Sequence, residues 1–131
     1  MKYLLDTDWV IGHFRNVERF SRRLEELTPE GLAISIISLA ELYEGVYSSR
    51  DPEQSQGVLT RFLNRGLAIL SIDEETARIF GSERSRLRHA GTMTGDLDLL
   101  IAATCLRHGL VLLTNNRRHF ELITDLEIIS V

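Results

Sequence analysis

A chain of 131 residues with 44% hydrophobic and 26% charged residues has the composition of one ordinary globular domain, long enough to bury most of the surface its unfolded form exposes. That balance excludes disorder and low complexity, and no apolar run reaches the roughly 20 residues that a bilayer-spanning helix needs. A net charge of −4 argues against an unspecific grip on nucleic acid, so any such contact must be local.

The N-terminus passes from Met1 straight into a strand-like run, with no basic segment and cleavage site, and a cytoplasmic location is expected. The single cysteine, Cys105, lies in the apolar run 99–106 and reads as a buried structural thiol. Of the 15 basic residues only Lys2 is a lysine; the rest are arginines, whose planar fork suits phosphates and carboxylates. They gather at Arg15, Arg19, Arg22 and Arg23, at Arg84, Arg86 and Arg88, and at Arg117 and Arg118 beside His119. Solvated helix faces paired with local Glu and Asp account for the first two groups.

Five short apolar runs alternate with longer helical patterns, and the first, 2–5, ends in Asp6-Thr7-Asp8. A buried strand closing on a carboxylate, a hydroxyl and a second carboxylate offers Asp6 as a functional group, with helix capping as its ordinary alternative. Asp8 fits a cap or an outer support more readily. The second strand, 32–36, leads to Ser38-Leu39-Ala40-Glu41, which matches the capping box in which Ser and Glu satisfy each other's backbone amides. Only the company of the other carboxylates moves Glu41 from that role toward a metal; Glu44, one turn on, reads as solvated.

Asp51-Pro52 starts a helix, 67–71 reads as the third strand, and Asp73 caps a long helix to about Ala90. After the loop 89–95, Gly95-Asp96-Leu97-Asp98 opens another helix, which Gly109 stops. Asp98 heads the stripe Ile101, Ala102, Cys105 at i+3, i+4 and i+7, so it caps a core-facing row and requires a partner, whereas Asp96 is less constrained. The fourth strand, 110–114, runs into Thr114-Asn115-Asn116-Arg117, an ordinary polar turn or a group in which Thr114 or Asn116 orients a water or phosphate and Arg117 meets a nucleic-acid backbone. The last strand is 127–131.

This alternation predicts an α/β/α sandwich around a mostly parallel five-stranded sheet, with ligands collecting at the carboxyl ends of the strands. Asp6, Glu41, Asp96 and Asp98 then stand at segment boundaries that meet at one sheet edge. Like charges so gathered call for a hard divalent cation or for protonation, and the leading expectation is metal-dependent phosphodiester chemistry. The topology carries one difficulty: the long helix from Asp73 descends from that edge, and the loop 89–95 must bring the chain back up before Asp98.

In order along nearly the whole chain, four motifs resemble those of the PIN-domain ribonucleases, and within them the VapC-like toxins of toxin–antitoxin modules. They are Leu4-Leu5-Asp6-Thr7-Asp8, the run 38–45, the run 95–103 and the run 113–120. The resemblance implies a parallel sandwich with the third acidic position at a helix start beside the others, an Mg²⁺ or Mn²⁺ cofactor, and hydrolysis of RNA, tRNA or another structured RNA among the targets, with inhibition of translation. It also implies a small cognate antitoxin and frequent homodimerisation. Asp6, Glu41 and Asp98 take the core catalytic and metal positions, with Asp96 a fourth ligand and Thr7, Ser38, Thr114, Asn116 and Arg117 in support. The departure is Asn116, where many members carry an aspartate; a neutral ligand weakens the case for a second tightly held ion. In-line attack by an activated water would leave a 5′-phosphate and a 3′-hydroxyl.

Two rivals stand beside this reading. A catalytically inactive RNA- or partner-binding module of the same fold would show loss of acidic ligands, yet Asp6, Glu41 and Asp98 are present. Asp6-Thr7-Asp8-Trp9-Val10 also resembles the aspartyl-nucleophile motif of haloacid dehalogenase-like phosphatases, which require a downstream lysine that this chain lacks. For a partner helix, Trp9, Val10, Phe14 and Phe20 offer a candidate apolar groove, although such residues equally serve as core.

Overall fold

In the computed structural model, which describes residues 1–131, every predicted strand forms, each shorter than its apolar run: β1 (Tyr3–Leu5), β2 (Leu32–Ser35), β3 (Ala68–Leu70), β4 (Val111–Leu113) and β5 (Ile128–Ile129). All pairings are parallel, in the order β3-β2-β1-β4-β5. The helices are α1 (Thr7–Phe14), α2 (Glu18–Leu27), α3 (Ile36–Tyr47), α4 (Pro52–Leu63), α5 (Glu74–His89), α6 (Asp96–Arg107) and α7 (Arg117–Phe120). None is long and apolar enough to cross a membrane.

The central strands are buried on both faces, which is why their sequences run apolar without alternation. Tyr3 and Leu5 of β1, Ile34 of β2 and Leu113 of β4 pack on one side with Trp9, Val10, Phe20, Leu42, Leu59 and Phe62 from α1 to α4. Leu4, Ala33 and Leu112 face the other side and meet Leu87, Leu99, Ile101, Ala102 and Cys105 from α5 and α6. Trp9, Val10 and Phe20 therefore belong to the core and offer no groove; Phe14 is only partly covered. Cys105 is fully buried, its thiol donates to the Leu110 carbonyl at 3.1 Å, and burial pushes it up to about 12, as expected of a structural cysteine.

Side-chain caps form where predicted at the starts of α4 and α5. Asp51 accepts from the Gln54 amide ahead of Pro52, and Asp73 accepts from the Thr76 amide and hydroxyl. The exception is α3, which begins at Ile36: Ser35 is its N-cap and accepts from the Ser38 amide at 3.0 Å. The capping box expected at Ser38 and Glu41 is thus corrected by three residues. Ser35 ends β2 extended (φ −78°, ψ 155°) with its hydroxyl free to cap, so the helix starts earlier and Glu41 lies in its second turn, released from capping.

Close packing of α1 on α2 rests on Gly12, where a Cβ would stand less than 3.0 Å from three ring carbons of Phe20. Overpacking of this kind costs about 1–3 kcal/mol, against the roughly 1 kcal/mol that Ala gains over Gly inside a helix. Gly12→Ala is expected to lower the urea midpoint of unfolding; an unchanged or raised midpoint would show that Phe20 moves aside freely.

Candidate active site

Strand order reverses between β1 and β4, because the chain moves outward through β2 and β3 on one side before crossing to β4 and β5 on the other. In an open α/β sheet the crevice beyond this reversal is where ligands sit. Asp6 leaves the end of β1 and Thr114 the end of β4, so residues far apart in sequence become neighbours: the Thr114 hydroxyl donates to Asp6 Oδ2 at 2.7 Å. Asp6 also serves as the N-cap of α1, accepting from the Thr7 amide at 2.8 Å. Capping and function, posed as alternatives by the sequence, coexist in one side chain.

Asp8, in the first turn of α1, points back to the same place. Its Oδ2 accepts from the Asn115 amide at 2.9 Å, while its Oδ1 is buried with no hydrogen-bond partner. Across the crevice the loop 91–95 does bring the chain back up, turning at Gly91 with φ 73°, and α6 starts beside the strand ends. The Asp98 charge is felt by both Asp6 and Asp8. Burial first, then the neighbouring charges of Asp8 and Asp98, push Asp6 up to about 7 against the lowering pull of Thr114 and Thr7. Asp8 is likewise raised, mainly by burial. One buried carboxylate, Asp6, and two partly buried ones, Asp8 and Asp98, share one electrostatic environment.

Glu41 joins through Thr7, whose hydroxyl donates to Glu41 Oε1 at 2.7 Å. Asp96 stands apart: its carboxylate is exposed and paired with Arg84 of α5 at 3.0 Å. Ser38 is buried against Ser35 and secures the first turn of α3. Asn116 is exposed and starts α7, its amide donating to the Thr114 hydroxyl. Arg117 binds Ser130 at 3.0 Å and lies 3.5 Å from Glu121, leaving the exposed Arg118 as the adjacent cation without an ion pair. Arg22 pairs with Glu18 and Arg23 with Glu26 on solvated faces, whereas Arg86 binds the buried Glu83 and the Leu122 carbonyl and so ties α5 to the segment after α7.

Three contributors were not legible from spacing. Asn115 seats its side chain between the Trp9 indole, at 3.0 Å, and the Val131 backbone, placing its amide under Asp8. His119 Nδ1 lies 2.8 Å from Asp98 Oδ2. Arg84 withdraws Asp96. The only signal for the first two is that they lie in the same short segment as Thr114.

As placed, no three Asp, Glu, His or Cys side chains enclose an ion. The donor chemistry nonetheless suits a hard divalent cation: all donors are carboxylate oxygens, one of them is buried and orphaned, and the charges repel one another unless neutralised. Asp6, Asp8 and Asp98, with Glu41 on the rim, are the residues that fit it.

This parallel sandwich with carboxylates at its reversal point is that of a known class: the PIN domain family matches residues 3–125, and the chain belongs to it. Within the family it is VapC-like. It is 35% identical over 128 residues to the tRNA(fMet)-specific endonuclease VapC of Salmonella typhimurium, covering 98% of this chain and 96% of that protein. It is 36% identical over 128 residues to ribonuclease VapC2 of Rickettsia felis, at 96% and 95% coverage. Among solved structures it superposes on the R. felis VapBC2 complex bound to a promoter DNA fragment with a TM-score of 0.92, at 33% identity over 100% of this chain and 99% of that one. The S. typhimurium DNA-bound VapBC structure gives 0.91 at 35% identity, covering 99% and 98%.

Membership disposes of the phosphatase rival, and the geometry explains why. Asp6 is 3% exposed with both oxygens hydrogen-bonded, unlike an attacking nucleophile. The only lysine, Lys2, precedes β1 at the other end of the sheet and binds Glu30.

Proposed function

We propose that this chain is a metal-dependent endoribonuclease, the cytoplasmic toxin of a toxin–antitoxin pair, which cuts a structured RNA such as a tRNA and thereby blocks translation. The observation that carries it is the carboxylate group of Asp6, Asp8, Asp98 and Glu41 at the β1–β4 reversal point, with Asp8 Oδ1 buried and unsatisfied. The names of the relatives, ribonuclease and tRNA(fMet)-specific endonuclease, support the same substrate class.

Asp6, Asp8 and Asp98 would hold one Mg²⁺ or Mn²⁺, with Glu41 completing its surroundings directly or through water. When bound, such an ion supplies Lewis-acid polarisation of a phosphoryl oxygen and an acidified water. The chain's own work is positional. Thr114 and the Thr7 amide hold Asp6, the Asn115 amide holds Asp8, the Thr7 hydroxyl holds Glu41, and the exposed Arg118 meets the negatively charged backbone. With Asp96 bound to Arg84 and Asn116 neutral, the site favours a single ion.

The solved relatives are complexes with an antitoxin, and a cognate antitoxin is proposed here too. Its seat is a groove of about 440 Å³ between α1, α3 and α4, lined by Ile11, Phe14, Leu42, Val46 and Val58 and reaching Glu41. An amphipathic helix with apolar anchors suits such a groove.

The test is incubation of the purified, partner-free protein with total RNA in Mg²⁺ and in EDTA, with mapping of the cut ends. Discrete cuts bearing 5′-phosphates in Mg²⁺ and none in EDTA are expected. RNA binding that is indifferent to EDTA, without cleavage under any metal, would instead identify an inactive binding module.

A further inference from the structure

Asp98 occupies the third position of α6, where a carboxylate commonly turns back onto the N-cap amide. It does not do so here: the N-cap is Gly95, without any side-chain hydrogen bond. Its Oδ2 instead lies 2.8 Å from His119 Nδ1, on α7 across the crevice. His119 is not a loose surface side chain, although it is half exposed. Its amide donates to the Asn116 carbonyl at 3.0 Å, and its own carbonyl accepts from the Thr94 hydroxyl at 2.8 Å, in the loop that delivers α6. The His119 backbone is therefore tied to the β4–α7 turn and to the loop before α6 at once, and its imidazole reaches Asp98 from that fixed base.

One segment now serves all three clustered carboxylates: Thr114 binds Asp6, Asn115 binds Asp8, and His119 binds Asp98. Asp98 is the member that most needs holding. Its side chain is only about a quarter exposed, and the Asp6 and Asp8 charges favour its swinging outward. A donor on Oδ2 opposes that motion and leaves Oδ1 for a ligand.

We propose that His119 is a positioning residue that pre-arranges Asp98 for the cation. This rests on the cation-dependent reading above. Partners that orient a ligating side chain are worth about 10–100-fold in metal affinity. Titration calorimetry of the full chain with Mn²⁺ alone is expected to show His119→Ala binding about 10–100-fold more weakly than wild type, with circular dichroism unchanged. His119→Asn, which keeps a donor near the Nδ1 position, is expected to recover most of the loss, and His119→Ala placed on Asp98→Ala to add nothing. Equal affinity in His119→Ala and wild type overturns the proposal, as does an Asn variant no better than Ala.

A second readout needs no metal. Nitrogen NMR of the imidazole in EDTA is expected to show His119 as the Nδ1–H form, lost in Asp98→Ala. Failure of the wild-type chain to bind Mn²⁺ overturns the cation reading, and the tautomer then judges the contact by itself: persistence of Nδ1–H in Asp98→Ala overturns it, and loss of that form supports it.

Discussion

Replacing Asp98 by Asn is expected to slow RNA cleavage by more than about 100-fold with the fold intact, since even the partners of ligating groups are worth 10–100-fold. Asn has the shape of Asp but no charge, so the loss would report the missing carboxylate and not a packing defect. The paired substitution gives the experiment its resolution. Asp96→Asn, two residues away on the same helix, is expected to change the rate by less than about tenfold, because its carboxylate is held outside by Arg84 and is exposed. Single-turnover cleavage in saturating Mg²⁺ measures both. Wild-type cleavage by Asp98→Asn would sink the assigned site, and equal damage from the two variants would mean that the Arg84 pair opens and Asp96 enters.

In EDTA, the protein is expected to be more stable near pH 5 than near pH 8. Asp6 has a folded-state value of about 7 against 3.8 for an ordinary aspartate, so the native chain keeps a proton that the unfolded chain releases between those values. The stability from the neutral, buried carboxyl is complete below about pH 4 and is lost as pH rises through about 7. The part of this stability lost between pH 5 and pH 8 has an upper bound of about 3 kcal/mol, and realistic screening leaves roughly half. For a domain of this size, that corresponds to a fall in Tm of roughly 4–7 °C.

Asp8 is raised in the same direction and adds to the effect, while His13, lowered by burial and by Arg65, opposes part of it toward pH 5. Glu30, Glu83 and Asp73 are lowered by their hydrogen-bonding partners, so their contributions are present above the ordinary carboxylate range and are lost only toward more acid pH. Asp6→Asn is expected to flatten the slope between pH 5 and 8, and Mn²⁺ at pH 8 to restore the lost stability by binding the native state. A Tm in EDTA that is level or rises over this range would mean that Asp6 is not an uncompensated buried charge.

The fold is largely legible in the sequence. Runs such as Val111-Leu112-Leu113, apolar on every residue, mark strands covered on both faces, and the turn residues Asp51-Pro52, Asp73 and Gly109 mark helix ends. Local chemistry misled at Ser38, because Ser35 offers an equally good cap one turn earlier and the end of β2 selects between them. The apolar residues Trp9, Val10 and Phe20 carried no mark separating core from groove; that distinction depends on what packs above them, here α2 and the sheet.

By itself, then, the sequence determined the parallel α/β architecture and the supply of acidic residues at strand and helix ends, since both follow from periodicity and capping over a few neighbouring residues, while the four motifs marked the family by resemblance. Only the tertiary structure decided which carboxylates share a site. Asp6 and Thr114, 108 residues apart, meet because β1 and β4 pair at the reversal of strand order, and that same crevice draws in Asp8 and Asp98. Asp96 leaves because an arginine on the neighbouring helix is within reach. Charge interactions fall off with distance through space and strengthen with burial, and neither quantity is a function of spacing along the chain.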